Sequence, residues 1–558
     1  MTICHVQLAT GQKLHQHQRK PRIINERMQK ERQNEMGGTK INIYIYFNLF
    51  QMIKLNYSII LVNMCLSALW GSILGGEVRW SFEEMGLHSR KVANILTDQC
   101  GLRKGDRILV ILSRIPEWWL MITACIRTGI VAIPATSQLT AQDIEYRLQA
   151  SGAKCLITTE ALGSAVDSVA PRCTSLKTKL LVSSEGKREG WLNFDELLRE
   201  APANHTCAKT KMNDPMLVYF TSGTTGAPKM IEHTQGSLGF RTLISQSTAD
   251  TSWVVAALGS FFDPWVLGTC VFIHNIPMLE KTTILRTLSQ FPITAFLSPP
   301  TFFRMFLKED FTSYKFKSLQ YCISGGESIS LEVIEEWKNK TGLDIYEIYG
   351  QTETGSICSV SKEMKIKPGT MGKALFPYDV QVDQEANILP PGKEGEIAIK
   401  IKPERPLGFF TRYIDTPEKT AATIHGDFFL TGDRGVMDED GYFRFIGRTD
   451  DIINSSGYRI GPYEVENVLL THPAVAEVAA ISSPDPIRGE VVKAFVVLSS
   501  DYATHNKEKL IMELQEHVKK MTAPYKYPRK VEFVQKLPKS QTGKLQRKEL
   551  RDQEWGRV

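Results

Sequence analysis

The 558-residue chain reads as an α/β protein in which a large N-terminal domain precedes a smaller α+β C-terminal domain. Three observations lead there. From about Glu77, short apolar runs alternate with amphipathic stretches and Gly/Pro punctuation, the texture of strands alternating with helices. Near Asp451 the texture changes to that of a compact unit of roughly 110 residues. The composition, 42% hydrophobic and 23% charged, is ordinary for globular domains, and the length calls for more than one of them. The expected divisions are an atypical segment over 1–76, basic and then apolar, a large domain over 77–449 and a lid domain over 450–558.

The first segment is the hardest to read. Residues 1–40 carry eight Lys/Arg against three Asp/Glu, and residues 55–76 run without a charge, long enough to span a bilayer. Asn56, Ser58, Asn63, Ser67 and Ser72 dilute that run, which makes it a poor candidate for a membrane anchor. The run begins too late for a secretory signal. A transit peptide should be rich in serine and poor in acids, whereas 1–40 lacks serine and contains Glu26, Glu31 and Glu35.

Further along, 217–220 predicts a buried strand entering a Gly/Ser/Thr loop. Ser330 predicts the cap of a helix with Leu331, Ile334 and Trp337 on one face, ending near Gly342. Residues 396–401 alternate as a strand does. In the last unit Pro462 opens a helix through Val465, Val468 and Leu469, and 478–481 and 494–498 read as strands. Residues 509–519 put Leu510, Ile511, Leu514 and Val518 on one helical face, before a final strand at 531–534.

Charge and cysteines exclude several classes. The net charge of +6 divides into +5 over 1–40, −6 over 41–501 and +7 over 502–558. A mildly acidic body with a basic end argues against a nucleic-acid coat and suits a lid closing over a phosphorylated small molecule. The ten cysteines are scattered, the closest pair being Cys155 and Cys173, which offers neither a zinc site nor a disulfide framework and suits a reducing compartment.

Four segments carry chemistry. Thr221-Ser-Gly-Thr-Thr-Gly-Ala-Pro-Lys229 has glycines that admit a polyphosphate, hydroxyls that donate to it and a lysine for charge. It is not a Walker A loop, and taken alone it reads equally well as a solvated loop. Tyr346-Glu-Ile-Tyr-Gly-Gln-Thr-Glu353 puts Thr352 beside Glu353, a hard oxygen ligand suited to Mg²⁺. Thr431-Gly-Asp-Arg-Gly435 reads as a tight turn presenting Asp433 to a pair of ribose hydroxyls, or as a common Asp turn. Pro538-Lys-Ser-Gln-Thr-Gly-Lys544 puts Lys544 on a Gly-containing loop near the end, or in a solvated basic tail.

In this order and spacing the four resemble the adenylate-forming superfamily of acyl-CoA synthetases, luciferases and peptide-synthetase adenylation domains, over about 77–558. Gly326-Glu-Ser-Ile-Ser330, Lys365-Ile-Lys-Pro-Gly369, Ile453-Asn-Ser-Ser-Gly-Tyr-Arg-Ile-Gly-Pro462, Ser483-Pro-Asp-Pro-Ile-Arg-Gly-Glu490 and Thr522-Ala-Pro-Tyr-Lys-Tyr-Pro-Arg529 are similar to the mitochondrial medium-chain acyl-CoA synthetases. The resemblance implies a large AMP-binding adenylate-forming domain and a small C-terminal domain that swings between two half-reactions. The first makes acyl-AMP and pyrophosphate from ATP and a carboxylic acid; in the second, coenzyme A displaces AMP.

It also implies residue roles. For ATP these are Thr221, Ser222, Gly223, Thr224, Thr225, Gly226, Ala227, Pro228 and Lys229 around the β- and γ-phosphates, and Gly326, Glu327, Glu347, Ile348, Tyr349, Gly350 and Gln351 along the adenine pocket. Thr352 would contact the α-phosphate and the substrate, Glu353 the Mg²⁺, and Asp433 with Arg448 the ribose. Lys544 would stabilise the charge that builds as the acid attacks, so Lys544, Thr352 and Glu353 form the catalytic group. Coenzyme A would meet Gln138, Ser456, Gly457, Tyr458, Arg488, Lys519, Tyr527, Pro528 and Arg529. Arg459 would face the substrate, and Asp450 would be the hinge.

The chain departs from the family in three places. Residues 1–76 do not resemble it, the stretch between Gly239 and Trp253 is roughly a dozen residues shorter than that of relatives, and Ile348 and Ser252 replace small residues. A branched side chain at 348 would crowd the nucleotide at a cost of about 1–3 kcal/mol. Beside a medium-chain ligase, a nucleotide- or acyl-CoA-binding homologue with impaired catalysis and an aromatic-acid CoA ligase therefore also fit. Mitochondrial residence follows from the resemblance, and a nucleic-acid partner from nothing in the chain. The sequence is silent on oligomeric state.

Overall fold

The computed structural model describes residues 69–73, 76–184, 186–223, 226–237, 258–266, 269–274, 280–326, 329–375, 377–384, 387–406, 408–414, 416–455, 458–486, 489–522, 524–539 and 545–556. Among these, the strand Arg107–Ile111 shows how the largest sheet is built. Its sequence is apolar throughout because both faces are covered: Ile108 and Val110 enter one core, Leu109 and Ile111 the other, all at most 1% exposed. Helices Phe82–Asn94 and Pro116–Thr128 supply the first core. Helices Ala141–Ser151 and Glu160–Val169 supply the second. Ser81 with Glu84, and Thr140 with Asp143, close capping boxes that satisfy the first backbone donors of their helices.

The sheet has eight strands among the described residues. In spatial order they are Arg412–Tyr413, Gly226–Thr234, Pro215–Gly223, Val131–Ala135, Arg107–Ile111, Cys155–Thr159, Thr178–Val182 and Leu192–Asn193. A second sheet runs Ala295–Ser298, Tyr321–Gly325, Ile345–Gln351, Gly355–Ser359 and Lys373–Ala374, its first three strands parallel. Trp337, fully buried, anchors the core beneath it. An antiparallel sheet follows, with Glu394–Lys400, Phe428–Met437 and Phe443–Arg448 at its centre.

The last unit is a sheet of Tyr458–Ile460, Ile453–Ser455, Gly489–Leu498 and Val475–Asp485, with Lys530–Phe533 parallel to Gly489–Leu498. Helices Pro462–Leu470 and Lys507–Met521 pack on it through Val465, Leu469, Leu510, Leu514 and Val518.

Most expected elements appear with longer bounds. The helix Leu331–Thr341 follows Ser330 and ends on left-handed Gly342 (φ +76°), but it buries Val333, Ile334 and Trp337 and leaves Leu331 exposed. Thr431–Gly435 is not a turn. It lies inside the strand Phe428–Met437, where Gly432 takes φ +72° and the register slips between Arg434 and Gly435. A left-handed glycine serves a bulge as well as a turn, and the spacing does not separate the two.

Of the uncharged run 55–76, Leu69–Ile73 is a strand, antiparallel to Gly76–Trp80 and parallel to Val271–His274. Residues 55–68 lie outside the described residues, as does 1–54. No helix among the described residues is long and apolar enough to cross a membrane. The stretch expected to be shortened, 240–252, also lies outside them.

Candidate active site

Strands from three of the large-domain sheets converge on one place. The segment 221–229 is a hairpin: Pro215–Gly223 pairs antiparallel with Gly226–Thr234, Thr221 opposite Lys229 and Gly223 opposite Gly226. Thr224 and Thr225 lie outside the described residues, as do the side chains of 222–227. The carbonyl of Pro228 accepts a bond from Tyr146 Oη at 3.0 Å. The Lys229 ammonium stands 5.6 Å from the centre of the Tyr413 ring. Burial lowers its pKa to about 8, and the neighbouring Lys419 amine, on helix Pro417–Ala422, adds to that effect.

The strand Ile345–Gln351 brings the next group. Glu347 is buried, and burial pushes its carboxyl up to about 8, so it is mostly protonated at neutral pH. Ile348 lies opposite Gly325 in the parallel pair; a Cβ at Gly325 would come within 2.6 Å of Ile348 Cγ1. The Ile348 side chain thus occupies the space over the glycine. At Gly350 the strand bulges, and a Cβ there would lie 1.6 Å from the Gly355 carbonyl oxygen, so only glycine fits. Gly326 is left-handed at φ +86°, and Glu327 lies outside the described residues.

Asp433 is the centre of the electrostatics. It is 4% exposed, and its register partner on the neighbouring strand is Arg448. Arg448 Nη1 donates to Asp433 Oδ1 at 2.8 Å, while Tyr349 Oη and Gln351 Nε2 each donate to Oδ2 at 2.6 Å. Gln351 and Arg448 also donate to the Thr431 carbonyl, at 2.8 and 3.1 Å. A buried carboxylate is tolerable when its oxygens are occupied in this way.

Three contacts fix the turn after Gln351. His233 Nε2 is 2.8 Å from the Thr352 carbonyl oxygen, the Phe410 N–H donates to the Glu353 carbonyl at 2.8 Å, and Tyr413 Oη donates to Glu353 Oε1 at 2.7 Å. Burial and the Glu353 carboxylate both raise the Tyr413 pKa, keeping its hydroxyl a donor. Tyr413 and His233 carry no motif. Tyr413 reaches Glu353 from 60 residues away in the chain, and the bond from His233 spans 119.

In the C-terminal unit, Lys519 Nζ lies 4.4 Å from the Tyr527 ring centre and Arg529 Cζ 4.7 Å from it, with Arg529 Nη1 donating to Tyr527 Oη at 2.6 Å. The Pro528 carbonyl accepts from Gln515 Nε2 at 3.0 Å. These four expected residues are therefore brought together. Gln138 is exposed in the turn between Val131–Ala135 and Ala141–Ser151. Asp450 lies in the short helix Thr449–Asp451, whose Asp451 pairs with Arg551 at 2.7 Å. Tyr458 and Arg459 belong to a strand but their side chains lie outside the description, as do Ser456, Gly457, Arg488 and Lys544 entirely.

The model of the AMP-binding enzymes matches residues 65–403, and that of the AMP-binding enzyme C-terminal domain matches 464–544. The chain is 57% identical over 500 residues to the Homo sapiens acyl-coenzyme A synthetase ACSM4, mitochondrial, which covers 87% of this chain and 86% of that one. It is 58% identical over 500 residues to the Pongo abelii acyl-coenzyme A synthetase ACSM3, mitochondrial, with coverages of 87% and 85%. Among solved structures it is similar to the anthranilate CoA ligase AuaEII in complex with anthranoyl-AMP, with TM-score 0.81, 28% identity, and 91% and 97% of the two chains covered. It is also similar to the Brucella canis acyl-CoA synthetase, with TM-score 0.66, 31% identity, and coverages of 91% and 94%. With the family model spanning most of the large domain and relatives above half identity along nearly the whole chain, the protein belongs to the AMP-binding enzymes, as an acyl-coenzyme A synthetase.

Proposed function

We propose that the protein is a mitochondrial ATP-dependent ligase that joins medium-chain fatty acids to coenzyme A through an acyl-AMP intermediate, releasing AMP and pyrophosphate. The observation that carries the nucleotide half of this reading is the Asp433 cluster, in which Tyr349, Gln351 and Arg448 converge on one buried carboxylate. On nucleotide binding, Asp433 exchanges part of this set for the ribose hydroxyls while Arg448 stays as its cross-strand partner. Lys229 and the hairpin 221–229 take the β- and γ-phosphates, and the Thr352 hydroxyl takes the α-phosphate.

The acid is already ionised at neutral pH, so no general base is needed. Its oxygen attacks the α-phosphorus, and pyrophosphate leaves. Lys544 stabilises the charge that grows in this step, which lowers the barrier more than it tightens the ground state. The Glu353 carboxylate suits a magnesium ion: one oxygen is held by the Tyr413 hydroxyl and the second is a hard donor beside the phosphates. Bound there, Mg²⁺ would offset phosphate charge. Coenzyme A then approaches along the Ser456-Gly457-Tyr458 face after rotation at Asp450, meeting Gln138, Arg488, Lys519, Tyr527, Pro528 and Arg529, while Arg459 faces the acyl substrate. This division of labour fits a boundary at 449/450 between the large domain and the lid domain 450–558. The substrates are small soluble molecules, and the reading calls on neither nucleic acid nor a membrane anchor at 55–76.

The test is acid-dependent ATP–pyrophosphate exchange on the whole chain with Mg²⁺, across butyrate to dodecanoate and benzoate. Exchange that peaks between hexanoate and dodecanoate is the expected result, and a peak at benzoate would replace the fatty acid by an aromatic one. The packing of Ile348 over Gly325 favours a second reading, a nucleotide binder that turns over poorly. ATP binding without exchange, restored by Ile348→Gly, would select it.

A further inference from the structure

One buried polar side chain close to the reacting groups has no role in the scheme above. His233 is fully buried, on the strand that leaves the phosphate hairpin four residues after Lys229. Around it stand Tyr219, ring centres 6.2 Å apart and edge-on, Ser237 Oγ at 3.5 Å from Nδ1, and the Thr352 carbonyl at 2.8 Å from Nε2. A carbonyl only accepts, so the Nε2 that meets it carries the proton. The Ser237 hydroxyl is in turn fixed between the Thr234 N–H and carbonyl, at 2.9 and 3.0 Å, so the face behind the imidazole is rigid.

Burying an imidazole in this core is costly unless its nitrogens are used, and an aromatic hydrocarbon would fill the same space without that cost. What the imidazole adds is a donor aimed at one carbonyl. That carbonyl belongs to the peptide joining Thr352 to Glu353, whose next carbonyl is held by Phe410 and whose carboxylate is held by Tyr413. The strand carrying Lys229 and the turn carrying Thr352 also meet through Tyr413, which faces Lys229 and donates to Glu353, and His233 adds a direct bond from that strand to the turn's backbone.

We propose that His233 is a positioning residue for adenylation. Its Nε2–H holds the Thr352–Glu353 peptide plane, so that the Thr352 hydroxyl and the Glu353 carboxylate keep a fixed orientation relative to Lys229. This rests on the ligase reading given above. A role in geometry belongs to the transition state more than to ground-state binding, so its loss falls on kcat rather than on nucleotide affinity.

His233→Gln and His233→Phe separate this from packing. Gln keeps a nitrogen donor near the Nε2 position; Phe keeps the volume and loses the donor. The expected result is that His233→Phe lowers the kcat of acid-dependent ATP–pyrophosphate exchange about tenfold, with the ATP dissociation constant changed by less than about threefold, while His233→Gln recovers most of the rate. A packing role gives the reverse order, with Phe the better substitute, and that order, or equal rates, overturns the proposal. Should neither variant fold, the ¹⁵N shifts of His233 in the unsubstituted protein decide: a protonated Nε2 supports the proposal and a bare one ends it. Absence of exchange from the folded, unsubstituted protein would instead remove the ligase reading and this inference with it.

Discussion

The Asp433 cluster and the Lys519–Tyr527–Arg529 stack, the two places proposed above to meet a nucleotide, both gather charged groups, yet they are built in opposite ways. In the first, one carboxylate at 4% exposure holds three donors, and two of those donors share a second acceptor. In the second, two cations flank one half-buried tyrosine ring, and Lys519 also pairs with the exposed Glu516. Burial makes the first arrangement rigid before any ligand arrives. The second stays open to water and salt, which suits transient contact with a phosphate that comes and goes.

The largest effect should follow from breaking the buried cluster. Asp433→Ala leaves Arg448, Tyr349 and Gln351 without their common acceptor, and ATP affinity measured by calorimetry should fall about 100-fold or more, with a lower Tm. A loss under about threefold would show that the cluster is dispensable.

The next effect is on pH. With its pKa lowered to about 8, Lys229 is largely neutral at pH 9 in the free protein, and a bound polyanion restores its proton. The KM for ATP should therefore rise above pH 8, roughly tenfold per unit at the steepest, with proton uptake on binding. Lys419→Gln should move the break upward. The sign for stability is opposite. Between pH 8 and the ordinary lysine value of 10.5 the unfolded chain binds more of this proton, so stability of the free protein gains with pH across that window. A KM flat from pH 7 to about 9.5 in both proteins would show that Lys229 keeps its charge.

The smallest effect belongs to the surface stack. Tyr527→Ala should raise the KM for coenzyme A only about two- to fivefold, less at high salt, with ATP–pyrophosphate exchange unchanged. A change in exchange would mean that the two regions are coupled and the contrast is wrong.

The same contrast explains what the sequence made legible. The segments 221–229 and 346–353 could be read because their chemistry sits on contiguous residues, with glycines where the backbone must pass closely, as at Gly350. Asp433 and Arg448 were both singled out by the family pattern, although the left-handed Gly432 within the strand of Asp433 reads as a turn in the sequence. Tyr413 and His233 stayed hidden because their bonds to Glu353 and Thr352 are tertiary contacts, and neither a lone tyrosine nor a lone histidine carries a signal of its own. The lowered pKa of Lys229 comes from burial and then from Lys419, neither of which chain spacing reveals. Ile348 was legible as a departure, but its position over Gly325 needed the strand register.

Among the described residues, the eight-stranded sheet ends at both sides in a strand of only two residues, Leu192–Asn193 and Arg412–Tyr413. An edge that short offers too few free backbone groups to recruit a strand from another molecule, which protects a large sheet from aggregation. On one side the protective strand is also the one whose tyrosine holds Glu353. A variant that lengthened this edge to improve local order would therefore put both the solubility of the protein and the orientation of its carboxylate at risk.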